Sequence, residues 1–145
     1  MQDTDKAWAA GFFDGEGYVT IGRSRSISNG KTYEGTYLRL GINHVNPKPL
    51  HKIVSLFGGT LRTNRSSTAK DGCNRKPRCE WIIHEKDSKV FIDTVFPYII
   101  NKTDALLIAN EYLQTRTKST KKLDSSVKEL RLNLKEKLKE LNGRD

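Results

Sequence analysis

The sequence has few of the residues that would point to a membrane, a zinc site or an oxidising compartment. Its two cysteines, Cys73 and Cys79, form neither a Cys-x-x-Cys pair nor a Cys/His cluster, which suits a reducing interior and gives no indication of zinc. No apolar run reaches the length of a membrane span, and residues 1 to 5 have neither the basic start nor the apolar run of a signal peptide. We therefore expect a soluble, intracellular protein without a membrane partner or a small-molecule cofactor.

Acidic residues are also in short supply. The 145 residues contain 17 Asp and Glu against 26 Lys and Arg, which gives a net charge of +9. An excess of this size indicates a polyanionic partner, with nucleic acid as the first candidate. An anionic membrane surface is the second, but it would need a basic amphipathic helix, and the basic residues here lie largely on candidate strands and loops. The length suits one domain.

The N-terminal segment carries an unusual stripe of small residues. Read as a helix, it places Ala7, Gly11 and Gly15 one above the other, with Ala10 beside them. Each glycine costs a helix about 1 kcal/mol relative to alanine, so the stripe needs compensation. Close approach of a second helix would supply it. On spacing alone, ordinary packing within the chain's own core explains the stripe equally well.

Two carboxylates follow at the end of this helix. Asp14 and Glu16 precede Gly17, beside unpaired carbonyl groups and the negative pole of the helix dipole, where acids are disfavoured. A divalent cation would turn this arrangement into a site, since hard cations take carboxylate and carbonyl oxygens together. A glycine C-cap with incidental acids is the alternative.

The order of residues 9 to 17, Ala-Ala-Gly-Phe-Phe-Asp-Gly-Glu-Gly, resembles the signature of the LAGLIDADG homing endonucleases. It departs from the signature at Ala9, where the family usually has Leu. The resemblance implies that two such helices, from two domains or two subunits, pack against each other. It also implies that Glu16, with the carbonyl of Gly15, binds a divalent metal at the scissile phosphate, and that Asp14 has a structural role.

The same resemblance implies further catalytic residues. It matches His44 to a polar position at the end of the second strand, Lys48 to a basic position shortly after it, and Lys102 to a lysine that follows the helix after the fourth strand. A hydrogen-bonded strand-end histidine and a surface lysine at a helix N-terminus are the alternatives for His44 and Lys102. The family also implies Mg²⁺ as cofactor, with Mn²⁺ able to substitute and Ca²⁺ supporting binding without cleavage.

The periodicity of the remaining chain predicts an α+β fold. Alternating patterns indicate strands at 18–27, 36–43, 60–65 and 78–84, and helical patterns occur at 47–57, 85–96, 102–113 and 125–141. We expect one domain over residues 1–145, with an αββαββα core at 7–113 and a C-terminal helical extension at 123–142. Its four-stranded antiparallel sheet would carry helices on one face and bind DNA with the other.

The exposed face of that sheet is predicted to be rich in side chains that pair with phosphates and base edges. The nominated DNA-binding residues on strands are Arg23, Arg25, Tyr37, Arg39, Asn43, Arg62, Asn64, Arg78 and Glu80. Arg23 and Arg25 reach this face only if a bulge near Gly22 breaks the alternation. Lys70, Arg75 and Lys76, in a polar loop, are expected to contact phosphates. An ordinary solvated sheet face is the alternative.

The sequence contains one copy of the signature, so the second helix would have to come from another chain. We therefore predict a homodimer with Ala7, Ala10, Gly11, Asp14 and Gly15 at its interface, acting as a site-specific double-strand DNA endonuclease on a pseudo-palindromic target. One rival is a catalytically silent RNA maturase or DNA-binding regulator on the same fold. The other is an unrelated basic module for structural RNA, which would be a monomer.

Overall fold

The structure, a computed structural model, describes residues 1–64, 77–116 and 124–143. Its elements are α1 (Asp3–Glu16), β1 (Gly17–Ser28), β2 (Lys31–His44), α2 (Pro47–Phe57), β3 (Thr60–Asn64), β4 (Arg78–Ile83), α3 (Glu85–Val95), a 3-10 turn (Phe96–Tyr98), α4 (Thr103–Gln114) and α5 (Ser125–Leu141). This order confirms the predicted α+β fold. Lys70, Arg75 and Lys76 lie outside the described residues. No helix in the described ranges is long and apolar enough to cross a bilayer.

The four strands form one antiparallel sheet in the order β1-β2-β4-β3. The β1–β2 hairpin turns at Asn29 and Gly30, whose φ angles of 52° and 74° match the positive values that a two-residue hairpin turn needs. Both strands are longer than the alternation predicted, because the polar residues near the turn continue the pairing without burying an apolar face. The hairpin therefore extends past the core as a two-stranded ribbon.

The core lies between one face of the sheet and the helices. Phe91 of α3 is fully buried at its centre, with ring centroids 4.9 Å from Phe57, 5.1 Å from Phe13 and 5.3 Å from Trp81. Helix α2 begins where Pro47 follows Asn46, whose side chain accepts the Lys48 N–H, as expected for an N-cap. The opposite face of the sheet, named the open face below, is covered by none of the helices that the structure describes.

Helix α5 packs onto β1, β2 and α4 and belongs to the same core. Leu134 and Leu138 are buried, whereas Leu130 and Leu141 are exposed and Arg131 is buried in their place. Arg131 donates from Nε to Thr115 Oγ1 at 2.7 Å, and its guanidinium lies 4.9 Å from the Tyr112 ring centroid. These contacts let a charged side chain replace a leucine at the junction of α4 and α5.

Candidate active site and nucleic-acid interface

One side of α1 is bare. Ala7, Gly11 and Gly15 are exposed, and a Cβ atom built on either glycine would meet nothing within 4 Å in the described chain. Ala10 is different, because it is fully buried in the chain's own core. Its predicted place at an interface is therefore wrong, and the surface open to a partner consists of Ala7, Gly11 and Gly15.

Asp14 is half-buried and its carboxylate binds backbone groups of its own chain, so its place at a dimer interface stays a prediction. Its carboxylate accepts the backbone N–H groups of Ile100 at 3.0 Å, Asn101 at 2.9 Å and Lys102 at 2.8 Å. Burial raises the pKa of the carboxyl, but the three N–H donors and the charge of Lys102 outweigh it and hold the pKa below its ordinary value of 3.8. Asp14 thus fixes the turn before α4 to the last turn of α1.

The same turn places the ammonium group of Lys102 at the end of α1. Lys102 is the N-cap residue of α4, and its Nζ donates to the backbone carbonyl of Asp14 at 2.6 Å. An ammonium group is unfavourable at the N-terminus of α4, yet here it neutralises the negative pole of α1. The position of Lys102 is explained by the helix that it reaches rather than the helix that it begins.

Glu16 ends α1 as an exposed carboxylate. It makes no ion pair or side-chain hydrogen bond with the residues that the structure describes. The Gly15 carbonyl lies in the final turn, where no further turn of helix supplies an N–H donor. These oxygens are the donor type that Mg²⁺ prefers. Across the described ranges no three His, Cys, Asp or Glu side chains are grouped as a metal site, so other ligands would have to come from water, DNA or a second copy.

His44 lies beside the end of α1, because β2 pairs its Ile42 with Gly17. The imidazole contacts the Phe12 ring edge-on with centroids 5.6 Å apart, and its Nδ1 lies 3.0 Å from the Asn46 backbone nitrogen. Its ring is thus tied to the backbone on one side. Lys48 is exposed in the first turn of α2.

The open face collects most of the nominated recognition residues. The register places Tyr37, Arg39, Asn43, Arg62, Arg78 and Glu80 on this side of the sheet. Asn64 pairs with Arg78 at the end of β3. The Arg39 guanidinium lies 5.1 Å from the Tyr37 ring centroid, and Glu80 pairs with both Asn43 and Arg62. A surface of alternating aromatic, basic and amide groups results.

Tyr18 joins the open face and was not nominated from the sequence. Its hydroxyl donates to Glu80 Oε1 at 3.5 Å. Burial and the neighbouring Glu80 carboxylate raise its pKa to about 12, so it stays a donor at neutral pH. The signal was present in the alternation with Val19, which is buried on the core side.

Arg23 and Arg25 do not reach the open face. The β1–β2 register runs without a bulge from Gly17 to Ser28, pairing Arg23 with Thr36 and Arg25 with Glu34. Strict alternation turns these side chains to the side that the helices cover, and the Thr36 hydroxyl confirms this by bonding the Tyr112 hydroxyl of α4 at 2.9 Å. Their predicted place on the DNA-binding face is therefore wrong.

No protein-family model matches the sequence, and no curated protein matches it. Solved structures do match. The homing endonuclease I-CvuI in complex with a DNA target superimposes with a TM-score of 0.73 at 20% identity, over 96% of this chain and 83% of that one. The archaeal intron-encoded homing endonuclease I-Vdi141I, complexed with DNA, gives 0.74 at 14% identity, over 97% and 86%.

The homing endonuclease I-SmaMI, bound to cleaved DNA, matches with a TM-score of 0.68 at 19% identity, over 90% of this chain and 42% of that one. These likenesses define the class of the fold, an α+β domain with an open four-stranded antiparallel sheet. The particular fold is that of the LAGLIDADG homing endonucleases, which confirms the resemblance that residues 9 to 17 carry.

Proposed function

We propose that this chain is a metal-dependent, site-specific DNA endonuclease of the LAGLIDADG type. It acts as a homodimer and breaks both strands of a pseudo-palindromic target, as a homing enzyme would. The observation that carries the proposal is the bare side of α1, which ends at the exposed carboxylate of Glu16 and makes no contact that would explain it within the described chain. The solved structures with this fold include homing endonucleases complexed with DNA.

A second copy of the chain is the occupant that best suits the bare side. Gly11 and Gly15 lower the intrinsic stability of α1 by about 1 kcal/mol each, and a Cβ at either position would disturb nothing internal. Contact of two backbones across a two-fold axis compensates that cost and excludes side chains at these positions. Such a dimer would bring two Glu16 carboxylates together, one for each DNA strand.

Glu16 and the Gly15 carbonyl would hold Mg²⁺, with the remaining oxygens supplied by water and the scissile phosphate. When bound there, the ion would supply Lewis-acid chemistry, polarising the scissile phosphate and making water a better nucleophile. The I-CvuI complexes were obtained with Mg and with Ca, which supports use of a divalent ion. We expect Mn²⁺ to replace Mg²⁺, and Ca²⁺ to support binding without cleavage.

The protein's own residues orient the phosphate and handle charge. Lys102, tied to Asp14 O, supplies a positive charge that stabilises the anionic phosphate in the transition state. When His44 Nδ1 accepts the Asn46 N–H, Nε2 carries the ring proton and can donate it to orient a water molecule. Lys48, exposed nearby on α2, adds a further phosphate contact.

Recognition falls to the open face. The major groove admits a sheet of this kind, where Arg pairs with guanine, Asn with adenine and a carboxylate accepts from cytosine. Arg39, Asn43, Arg62 and Glu80 supply these groups, and Tyr37, Asn64 and Arg78 extend the surface. Lys70, Arg75 and Lys76 are proposed to contact phosphates, adding affinity without sequence information.

The test is cleavage of a randomised duplex library. The protein is incubated with the library in Mg²⁺ and, separately, in Ca²⁺, and the ends of the products are sequenced. We expect breaks in both strands around one pseudo-palindromic sequence in Mg²⁺, and retention of the same sequence uncut in Ca²⁺. Selective binding without cleavage in Mg²⁺ or Mn²⁺ would instead assign the silent maturase or regulator. Binding only to structured RNA, by a monomer, would overturn the proposal.

A further inference from the structure

The helix side of the β1–β2 ribbon contains a cavity of about 440 Å³ between the ribbon and α5. Its walls are supplied by both strands, through Arg23, Arg25 and Glu34, and by α5, through Lys128, Arg131 and Leu132. Four basic side chains thus surround one cavity with a single carboxylate among them. The cavity lies on the opposite side of the sheet from the open face, so duplex bound there would not cover it.

Three of these basic side chains form no ion pair in the part of the chain that the structure describes. Arg23, Arg25 and Lys128 are exposed and take part in none of the ion pairs there, which involve Lys6, Lys52, Lys89 and Arg116. Glu34 pairs with Arg25 across the ribbon by register but lies outside ion-pair distance of it. Like charges converging on one cavity repel each other unless an anion occupies it.

The fourth cation is fixed. Arg131 is buried and held by two hydrogen bonds to Thr115, from Nε at 2.7 Å and from Nη2 at 3.2 Å, so its charge is pre-organised in the cavity wall. Lys128, in the first turn of α5, adds its charge to the same wall, while the N-terminus of this helix is already capped by the Asp124 carboxylate, which accepts the Ser126 N–H. The electrostatic field in the cavity therefore favours a multiply charged anion such as a phosphate.

The volume and the lining of the cavity suit a ligand larger than inorganic phosphate. A volume of about 440 Å³ is in the range of small-molecule sites and would leave an inorganic phosphate loosely held. Leu132 and the aliphatic stems of the arginines offer apolar surface, and guanidinium planes stack on nucleobases. We propose that this cavity binds a phosphate-bearing ligand of nucleotide size, separately from any DNA on the open face.

The test uses the full-length protein and three probes measured by isothermal titration calorimetry at low salt: adenosine monophosphate, adenosine and inorganic phosphate. We expect the monophosphate to bind more tightly than either fragment. Arg25→Gln should weaken it about tenfold, since one charge-assisted contact to phosphate is lost. Lys86→Gln, on the exposed surface of α3 and away from the cavity lining, is the control and should leave the affinity unchanged. Both positions are exposed, and circular dichroism checks that both variants fold.

A single-stranded oligonucleotide then distinguishes the sources of the phosphate. If it displaces the monophosphate and loses affinity in Arg25→Gln, the ligand is a nucleic-acid strand; if it does not compete, the ligand is a free nucleotide. Equal affinity of wild type and Arg25→Gln for the monophosphate, no binding of it at all, or an equal loss caused by Lys86→Gln would overturn the proposal. None of these outcomes depends on whether the protein cleaves DNA.

Discussion

The two sides of α1 have opposite relations to the rest of the molecule. The inner side carries Ala10 and Phe13, which are fully buried. It also carries Asp14, whose carboxylate accepts hydrogen bonds from backbone N–H groups. The outer side carries Gly11 and Gly15, with open space around both. The inner residues are explained by the fold, so substitutions there should lower the free energy of unfolding. The glycines on the outer side make no contact within the described chain that explains them, and the proposed dimer would supply one.

The largest effect should come from Glu16, at the end of the helix. Glu16→Gln removes the proposed metal-binding charge and should reduce cleavage by a hundredfold or more, corresponding to about 3 kcal/mol of transition-state stabilisation. Because Glu16 has no partner among the described residues and stands at the negative pole of α1, the free energy of unfolding should not fall and should rise by less than about 1 kcal/mol. Cleavage rates under single-turnover conditions and urea denaturation measure the two effects. Undiminished cleavage would remove Glu16 from the chemistry.

Gly11 tests the outer side itself. Gly11→Leu should weaken dimerisation by about 2 kcal/mol or more, because the added side chain overpacks a contact between backbones. The same substitution should not destabilise the isolated protomer, since nothing within 4 Å opposes a Cβ there. Sedimentation velocity over a concentration series gives the association constant. Glu129→Leu, which adds the same side chain at an exposed position of α5, is the control, and an equally stable dimer in Gly11→Leu would contradict the interface.

Asp14 tests the inner side. Asp14→Asn keeps one acceptor oxygen but loses the charge that three N–H groups and Lys102 face, so it should cost about 1–2 kcal/mol of folding stability. Asp93→Asn is the matched control, because its carboxylate forms an exposed ion pair with Lys89, which contributes at most about 0.5 kcal/mol. Chemical denaturation at neutral pH compares the two. Equal losses would mean that Asp14 does not fix the turn before α4.

The smallest effect is a pH dependence of that difference. The folded-state pKa of Asp14 lies below its ordinary value of 3.8, so its contribution to stability is complete above that value and is lost as the pH falls through the lower, folded-state pKa. The stability gap between wild type and Asp14→Asn should therefore be constant between roughly pH 7 and pH 5 and should narrow below about pH 4. A stability difference that stays constant down to pH 3 would show that the charge of Asp14 is not its cause.

Much of the fold could be predicted from local patterns. Asn46 and Pro47 mark the start of α2, Gly58 its end, and Asn29–Gly30 the hairpin turn, and each of these signals acts within a few residues. The open face follows from the alternation of Leu38, Leu40 and Ile42 with polar residues, because the period of a strand is two. Local chemistry was sufficient wherever the partner of a residue is its neighbour in sequence.

The features that sequence patterns did not predict depend on distant partners. Asp14 bonds residues more than eighty positions away, and no spacing rule links α1 to the turn before α4. Val90 is apolar, yet 69% of its surface is exposed, because the buried stripe of α3 passes through Ser88 instead. The face on which Arg23 and Arg25 lie depends on whether β1 contains a bulge. That is decided by the pairing of β1 with β2, which the sequence of β1 alone does not show.

The length of β1 also bears on what a target site can be. The strand begins directly after Glu16 and runs for 12 residues to the hairpin turn, which at about 3.3 Å per residue is close to 40 Å. Successive base pairs are spaced by about 3.4 Å along a duplex, so under the proposed function this ribbon would span at most about a dozen base pairs, counted outward from the position where the strand would be cut. Shortening the hairpin by two residues on each side of Asn29–Gly30 should erase base preference at the far ends of the site before it touches the centre.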